Sequence, residues 1–341
     1  LLEPCGQFGT RLMGGKDAAS PRYIFTKLSK EAQAIFDQRD NSTLKFLDDD
    51  GKTVEPEYYV PTMPMILVNG GEGIGTGYST QVPCYNHKDI KKNILKCLDG
   101  QAPDPMVPWY KGFNGSIRNK NNGSWTAEGC YTATQGGTIK ITELPPGKWT
   151  QDYKEFLDSL IERGKINSYD NHSTEEHPNF TVRGYKGTDP KKDLGLTKAI
   201  HNTNMWLMTP QGMRKYSKPE EILVDYVQIR VKHYTERKKN LLSELRYLSD
   251  VAKNKAKFVQ LVADEKIVVF RKKRDVIEAQ IESFELRKVK DSYDYLFNIR
   301  TEQYTEENIT KLNKEAGDKQ KAHDEIKKMT IPEMWKNDLN I

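Results

Sequence analysis

The residue types at Arg22 and Tyr23 could carry out nucleophilic chemistry on a phosphate. A tyrosine phenol, with an ordinary pKa of about 10, becomes a useful nucleophile when cations favour the phenolate and a base or metal assists. Arg22 precedes Tyr23 directly, and Arg11, Lys16 and Lys27 belong to the same basic stretch. This pattern favours attack on a DNA phosphate, which would leave a phosphotyrosyl ester that can be resealed. From the residues alone, a surface tyrosine beside a salt-bridging arginine remains the simpler interpretation.

The segment around Tyr23 is predicted to be the start of a helix. Ser20 and Pro21 form a favourable N-cap and first-turn pair. The amino terminus of such a helix would add a partial positive charge for a phosphate. Apolar residues follow at helical spacing, at Ile24, Leu28, Ala32, Ile35 and Phe36.

The middle of the chain has the pattern of a mixed α/β domain. Over residues 52–185, short β-branched or aromatic segments are separated by Gly, Pro and Asn. The predicted strands include Met65–Val68, Cys130–Thr134 and Thr138–Ile141, and the predicted helices are 87–99 and 151–163.

A long amphipathic helix is predicted from Pro219 onward. A helix of this length needs a partner, and the charged stretch 305–328 could return antiparallel alongside it. Between them, the segment Tyr293–Phe297 would belong to a small globular tip. The apolar positions that recur at intervals of three, four or seven are Leu223, Val227, Tyr234, Leu241, Leu245, Leu248 and Ala252.

Composition excludes several classes of protein. Charged residues make up 30% of the chain and mean hydropathy is -0.77, which predicts a soluble protein of two or three domains. The apolar runs, such as Met63–Val68, are too short to span a bilayer. The four cysteines lie far apart and the histidines lack ligand spacing, so neither a zinc site nor a disulfide framework is predicted. This cysteine usage suits a reducing intracellular compartment. The net charge of +5 does not by itself indicate DNA binding.

Two glycine-rich strings and one acidic run do not predict nucleotide or metal sites. The string from Gly9 to Asp17 is one residue off the P-loop spacing and has aspartate where a serine or threonine would meet magnesium. Gly71–Gly77 lacks the G-x-G-x-x-G order and is predicted to be a tight loop. Asp48–Asp50 is interpreted as a solvated turn, so no metal-binding residues are expected.

Residues 5–26 resemble the active-site segment of eukaryotic-type DNA topoisomerase II. The strings G-Q-F-G-T-R, G-G-K-D and A-S-P-R-Y-I-F occur in the same order and tight spacing. The resemblance implies that Tyr23 is the covalent nucleophile and Arg22 the transition-state stabiliser. It also implies that Arg11 and Lys16 bind DNA. The expected activity is that of the DNA cleavage and religation core of an ATP-dependent type II topoisomerase, an ATP-hydrolysing isomerase.

Three further segments are similar to DNA-contacting parts of the family. The string P-M-I-L-V-N-G-G-E-G-I-G-T-G over 64–77 looks like a DNA-bending loop, in which Ile74 would insert between base pairs. The string L-P-P-G-K-W-T-Q-D-Y over 144–153 matches a motif whose tryptophan, here Trp149, lies against DNA; a core tryptophan is the alternative. The looser match over 195–204 suggests Lys198 and Asn202 as DNA contacts.

The resemblance implies a mixed α/β fold class with three parts. These are the end of a winged-helix domain (1–45), an α/β tower (46–218), and long antiparallel coiled-coil arms with a small helical dimerisation gate (219–341), whose candidate surface is Tyr293–Ile299. The expected partners are duplex DNA, a second copy of the chain, and the upstream ATPase and TOPRIM domains of the same polypeptide. Those domains would use ATP and Mg²⁺, and this segment by itself is expected to bind neither.

Two alternatives remain open from the sequence. One is the gyrase-type protein of bacteria, in which the cleavage region is a separate gene product, and the other is a non-catalytic DNA-bending coiled-coil protein. The tower and arms read as more compact than those of cellular eukaryotic enzymes, which suggests a member from a large DNA virus. An intracellular location is expected: the nucleus for a cellular protein, and the host cytoplasm or viral replication sites for a viral one.

Overall fold

The computed structural model describes residues 1–120, 123–134, 136–289 and 291–339. Its α-helices are α1 (Lys30–Ile35), α2 (Met65–Asn69), α3 (His87–Leu98), α4 (Thr150–Glu162), α5 (Pro190–Asp193), α6 (Pro219–Ala263), α7 (Arg274–Ser283), α8 (Asp294–Phe297), α9 (Glu306–Lys328) and α10 (Ile331–Asp338). Its strands are β1 (Leu2–Cys5), β2 (Phe25–Leu28), β3 (Phe46–Asp49), β4 (Lys52–Pro56), β5 (Gly71–Gly75), β6 (Tyr78–Val82), β7 (Ser116–Asn119), β8 (Ser124–Glu128), β9 (Tyr131–Thr134), β10 (Thr138–Ile141), β11 (Ser168–Asn171), β12 (Phe180–Arg183), β13 (Thr197–His201), β14 (Met205–Thr209) and β15 (Gly212–Tyr216). Short 3-10 turns occur at Pro21–Tyr23, Gln38–Thr43 and Thr301–Gln303.

The chain forms two compact units that do not follow chain order. The first unit contains Leu1–Gln38, Tyr58–Arg230 and the end of the chain from Asp338. The second contains Arg39–Glu57 and Val231–Asn337. The division into three domains along the sequence stays a prediction.

A four-stranded antiparallel sheet and one helix form the main core of the first unit. The strand order is β11-β12-β10-β9, with Ile139 opposite Val182. Helix α4 is amphipathic and packs its apolar face, which includes Tyr153 and Leu157, against this sheet. The buried residues of this core are Ile139, Ile141, Leu144, Tyr153, Leu157, Leu160, Ile166, Phe180, Val182, Leu194 and Leu196. Strands β9 and β10 and helices α3 and α4 lie where the sequence predicted them.

Three predictions of local structure differ from the structure, and the first concerns residues 20–36. Instead of one helix, this stretch is a 3-10 turn, strand β2 and the separate helix α1. Strand β2 pairs with β1, so the apolar and β-branched residues after Tyr23 gain a ladder of hydrogen bonds that helical spacing could not reveal. Ser29 then caps α1 by accepting from the Ala32 amide at 3.1 Å.

The second wrong prediction is the strand at Met65–Val68, which lies in helix α2. A short apolar run does not distinguish a strand from a buried helical turn. Pro64 precedes the helix, Leu67 is buried, and Gly70 ends it at φ 67°. The loop predicted at Gly71–Gly77 is a two-stranded hairpin of β5 and β6.

In the second unit, helix α9 runs antiparallel to α6. Ser249 donates to the Ala316 carbonyl at 3.1 Å, and Lys238 donates to the Lys327 carbonyl at 3.2 Å. Beyond this pair lies a small core of residues from the end of α6, α7 and α8. Tyr293 and Leu296 are buried in that core, so these members of the expected gate surface are not available on the exterior.

Sequence reasoning missed two buried arginines on α6. Arg230 and Arg237 follow Leu223 at intervals of seven residues, which is the signal that places them on the apolar stripe. Arg230 donates to the Val60 carbonyl at 2.8 Å. Arg237 pairs with Asp40 at 3.3 Å.

Across the residues that the structure describes, no helix is both long enough and apolar enough to cross a membrane.

Candidate functional site

Tyr23 ends a three-residue 3-10 turn and presents its ring to solvent. The Tyr23 amide donates to the Ser20 carbonyl at 2.9 Å, and the side chain is 65% exposed. The guanidinium carbon of Arg22 lies 5.0 Å from the centre of the Tyr23 ring. The phenol and the Arg22 cation are therefore adjacent and accessible to a large ligand. The turn is too short to supply the helix amino terminus that the sequence predicted.

The loop before Tyr23 is closed on itself by Asp17. Its carboxylate accepts from the Thr10 amide at 2.9 Å and from the Thr10 hydroxyl at 2.6 Å, and this side-chain bond is the main cause of a lowered Asp17 pKa. The Ala19 amide donates to the Gln7 carbonyl at 2.9 Å. The Asp17 carboxylate therefore stabilises the loop conformation. Nothing in the sequence near Asp17 predicted its hydrogen bonds to Thr10.

Arg11 is drawn into the protein rather than toward solvent. Its guanidinium forms an ion pair with Glu143, whose side chain is 2% exposed. The two carboxylate oxygens of Glu143 also accept from the backbone amides of Leu144 at 2.8 Å and Asn114 at 3.0 Å. Glu143 was missed, although it continues the inward alternation of Ile139 and Ile141, which is a detectable signal.

Trp149 is half-buried and packs against the backbone of the same loop. A Cβ atom at Gly14 would lie 2.6 Å from Cδ2 of the Trp149 indole, and Gly14 has φ 63°. Next to it, the Gln151 amide donates to the Leu12 carbonyl at 2.9 Å. The exposed Lys16 ammonium lies 3.3 Å from the Asp152 carboxylate. These contacts fasten the loop to the start of α4.

We expect Gly14→Ala to destabilise the chain more than Gly15→Ala. Both positions have positive φ, which costs an alanine roughly 1–2 kcal/mol. Only Gly14 would also drive a methyl group into Trp149, which adds about 1–3 kcal/mol of overpacking. Urea unfolding of the two variants measures the difference.

Gly15→Ala is the matched control, because nothing lies within 4 Å of a Cβ atom built there. Equal unfolding free energies for the two variants would show that the Trp149 indole can move away from the added methyl group without loss of stability. That result would contradict a fixed contact between Trp149 and the loop.

Ile74 projects from the hairpin of β5 and β6. Its side chain is 89% exposed, the largest value among the big apolar side chains of the described residues. Ser79 is its partner across the hairpin, and Gly75 and Gly77 flank the tip. An exposed aliphatic wedge between glycines is a shape that can enter a base step.

The hairpin is held in place by the neighbouring strand β14. The Thr80 hydroxyl donates to the Trp206 carbonyl at 2.8 Å, and the Gln81 amide donates to the Asn204 carbonyl at 2.8 Å. The Asn204 amide group donates to the Ser79 carbonyl at 3.0 Å. Asn204 therefore supports the hairpin, so the wedge is mounted on paired strands.

The two candidates from the loosely matched segment differ in exposure. Lys198 on β13 is exposed. Lys148 lies nearby; burial lowers its pKa first, and the positive charge of Lys198 lowers it further. Asn202 is only 6% exposed and packs beside Gly123, and a DNA contact of its side chain stays a prediction.

The chain's described residues contain no group of three or more His, Cys, Asp or Glu side chains that could hold a metal ion. In the acidic turn, the Asp48 carboxylate accepts from the Gly51 amide at 3.0 Å. That this segment by itself binds neither magnesium nor ATP stays a prediction.

Comparison with known proteins gives a consistent result across the chain. The family model that describes the A subunit of DNA gyrase/topoisomerase IV matches residues 1–340. The DNA topoisomerase 2 of Plasmodium falciparum is 39% identical over 341 aligned residues, which cover 96% of this chain and 24% of that protein. The DNA topoisomerase 2 of Penicillium chrysogenum is 34% identical and is covered to the same 24%.

A solved structure agrees with the sequence comparisons. The crystal structure of the Plasmodium falciparum topoisomerase II DNA-binding, cleavage and re-ligation domain superposes with a TM-score of 0.89 at 35% identity. The match covers 99% of this chain and 51% of that one. The chain thus spans about a quarter of the curated relatives named above.

Proposed function

Because the chain belongs to the DNA gyrase/topoisomerase IV family, we propose that it is the DNA cleavage and religation core of a type II topoisomerase. The observation that carries the proposal is the exposed Tyr23 phenol with the Arg22 guanidinium 5.0 Å from its ring. The named relatives are DNA topoisomerase 2 proteins of eukaryotes, which favours the eukaryotic type over the gyrase type.

In the proposed reaction, the Tyr23 phenol oxygen attacks a backbone phosphorus of the duplex. A new oxygen–phosphorus bond forms as the bond to the 3′-oxygen breaks, so the tyrosine carries the 5′-phosphate and the phenolic proton passes to solvent or a base. The Arg22 guanidinium stabilises charge on the phosphate oxygens. Religation is the reverse attack by the 3′-hydroxyl. Two copies of the chain would cut opposite strands and let a second duplex pass.

The proposed DNA-binding surface contains fewer residues than the sequence suggested. Lys16 and Lys198 are exposed cations that can contact phosphates, and Ile74 is the proposed wedge. Trp149 is proposed to act through the loop that it supports, with its free edge available to a duplex. Arg11, paired with Glu143, is not retained as a phosphate contact.

The finer architecture is also part of the proposal. We propose that Tyr23 lies at the end of a winged-helix domain, that the sheets form a tower, and that α6 and α9 are the arms of a dimeric enzyme. For the gate contact between copies, the exposed Val268, Phe270 and Val276 replace the buried members of the expected surface. ATP and Mg²⁺ are proposed to act at ATPase and TOPRIM domains of the same polypeptide.

The proposed location is the nucleus. The compact tower and arms predicted a viral origin, which the cellular relatives named above do not support.

The test is a cleavage assay on the full-length protein with supercoiled plasmid, Mg²⁺ and ATP. Detergent added during turnover should trap DNA linked through its 5′-ends to the protein, with relaxed plasmid accumulating in its absence. If no linked DNA forms while the protein still bends a duplex, the non-catalytic DNA-bending alternative is correct instead. Loss of activity when a separate gene product is withheld would favour the gyrase-type alternative.

We expect Ile74→Ala to weaken binding of bent DNA without affecting folding. The truncation removes apolar surface that would fill an opened base step, worth roughly 1–2 kcal/mol, or about tenfold in affinity. The side chain is 89% exposed, so the free protein loses almost no packing. Energy transfer between dyes on the two ends of a duplex measures the bend.

Ile161→Ala is the matched control, since this isoleucine is also exposed but lies on α4. If the Ile74→Ala variant bends the duplex as much as the Ile161→Ala variant does, Ile74 is not the wedge.

A further inference from the structure

Glu143 is a buried carboxylate with an unusually complete set of partners. The residue is 1% exposed and lies just after β10, on the face that packs into the core. One oxygen receives the Leu144 amide at 2.8 Å and the Arg11 guanidinium, and the other receives the Asn114 amide at 3.0 Å. The two backbone amides therefore orient the Glu143 carboxylate independently of Arg11.

A buried carboxylate of this kind requires a cation, and Arg11 is the one that supplies it. The Arg11 side chain is 24% exposed, and it also donates to the Leu144 carbonyl at 3.5 Å and to the Glu176 carbonyl at 3.3 Å. Arginine is suited to this role because its planar fork satisfies several acceptors at once. These bonds hold the guanidinium against protein acceptors.

Arg11 and Tyr23 belong to one loop, whose segments are joined by hydrogen bonds. Thr10, the residue before Arg11, bonds Asp17 through both its amide and its hydroxyl. Gln7 then accepts from Ala19, and Ser20 accepts from Tyr23 at 2.9 Å. A displacement of Arg11 would therefore move the loop whose far end carries the nucleophile.

We propose that Glu143 is a positioning residue for the cleavage reaction, which acts by holding Arg11 and, through the loop, Tyr23. The inference rests on the proposed function. It assigns the Arg11 guanidinium to contacts within the protein and predicts that Arg11 contributes to the rate of cleavage and not to phosphate binding.

The test compares Arg11→Ala, Glu143→Gln and the double variant in the full-length protein. At saturating duplex, each single variant should lower the rate of covalent-complex formation by roughly 10–100-fold, since small displacements of reacting groups have effects of this size. The double variant should be no slower than the worse single variant, because both changes break one link. Duplex affinity and its salt dependence should match wild type.

Lys16→Ala supplies the contrasting pattern, because an exposed phosphate contact should lower the slope of log affinity against log salt by about 0.9. If Arg11→Ala shows that lowered slope and Glu143→Gln is silent, Arg11 is a phosphate ligand and the inference is overturned. Additive effects of the two single variants would also overturn it.

Arg11→Lys keeps the test decisive if either larger change impairs folding. A lysine retains the charge that a phosphate would need but cannot satisfy the acceptors that the arginine fork bonds. Slower cleavage with unchanged duplex affinity supports positioning, and unchanged cleavage contradicts it. Failure of the proposed function would appear separately, as wild-type protein that forms no covalent complex.

Discussion

Tyr23→Phe in the full-length protein is expected to abolish covalent attachment to DNA. The change removes the phenol oxygen that is proposed to attack the phosphorus, and losses of a nucleophile typically exceed about 10⁴-fold in rate. The ring that lies under the Arg22 guanidinium remains, and the side chain is 65% exposed, so folding and duplex affinity should stay at wild-type levels. The measurement is detergent-trapped, protein-linked plasmid in the presence of Mg²⁺.

Tyr247→Phe is the control, because Tyr247 is an exposed tyrosine on α6, outside the described candidate site. It should cleave as wild type does. Protein-linked DNA from the Tyr23→Phe enzyme would refute the assignment of the nucleophile. Protein-linked DNA lost equally in both variants would point to a general defect.

Arg237→Ala is expected to lower the free energy of unfolding by about 3–5 kcal/mol, the range for a buried ion pair that loses one partner. The Arg237 and Asp40 side chains are 1% and 5% exposed, with 3.3 Å between nitrogen and oxygen. The guanidinium also lies 5.2 Å from the centre of the Tyr234 ring, which itself stacks on Trp335. Alanine removes both the charge and this packing. Urea unfolding provides the measurement.

Arg246→Ala on the same helix is the matched control, and since Arg246 is exposed its effect should stay within about 0.5 kcal/mol. The double change Asp40→Leu with Arg237→Met should recover much of the loss, because an apolar pair avoids desolvating two charges. If Arg237→Ala is as mild as Arg246→Ala, the pair contributes little to stability.

Long periodic segments were the most predictable part of this fold. The apolar recurrence at intervals of three, four or seven predicted a long helix from Pro219 and its need for a partner, and the hydrogen bonds from Ser249 and Lys238 show where α9 meets it. The helix predicted over 151–163 is α4. In contrast, β2 depends on pairing with β1, which no local pattern within residues 24–36 contains.

Within the candidate site, the sequence showed which residues could do chemistry, but it did not show which other residues their side chains contact. The exposed tyrosine and arginine were visible as a pair because they are neighbours in the chain. The basic character of Arg11 was equally visible, yet its direction is set by Glu143, 132 residues further on. Asn202 shows the same limit, since its side chain is 6% exposed and lies beside Gly123, a neighbour that is distant in the sequence.

The discontinuous second unit has a consequence for how the polypeptide is made. Thr43 bonds His233 at 2.9 Å across a separation of 190 residues, so the ribosome must finish that stretch before the contact can form. At a synthesis rate of about 5–20 residues per second, the segment Arg39–Glu57 is exposed for roughly 10–40 s before the part of α6 that it contacts has been made. Its hairpin carries exposed Phe46 and Leu47 on β3, and the acidic turn Asp48–Asp50 follows directly, so we expect its charges to limit aggregation during that interval.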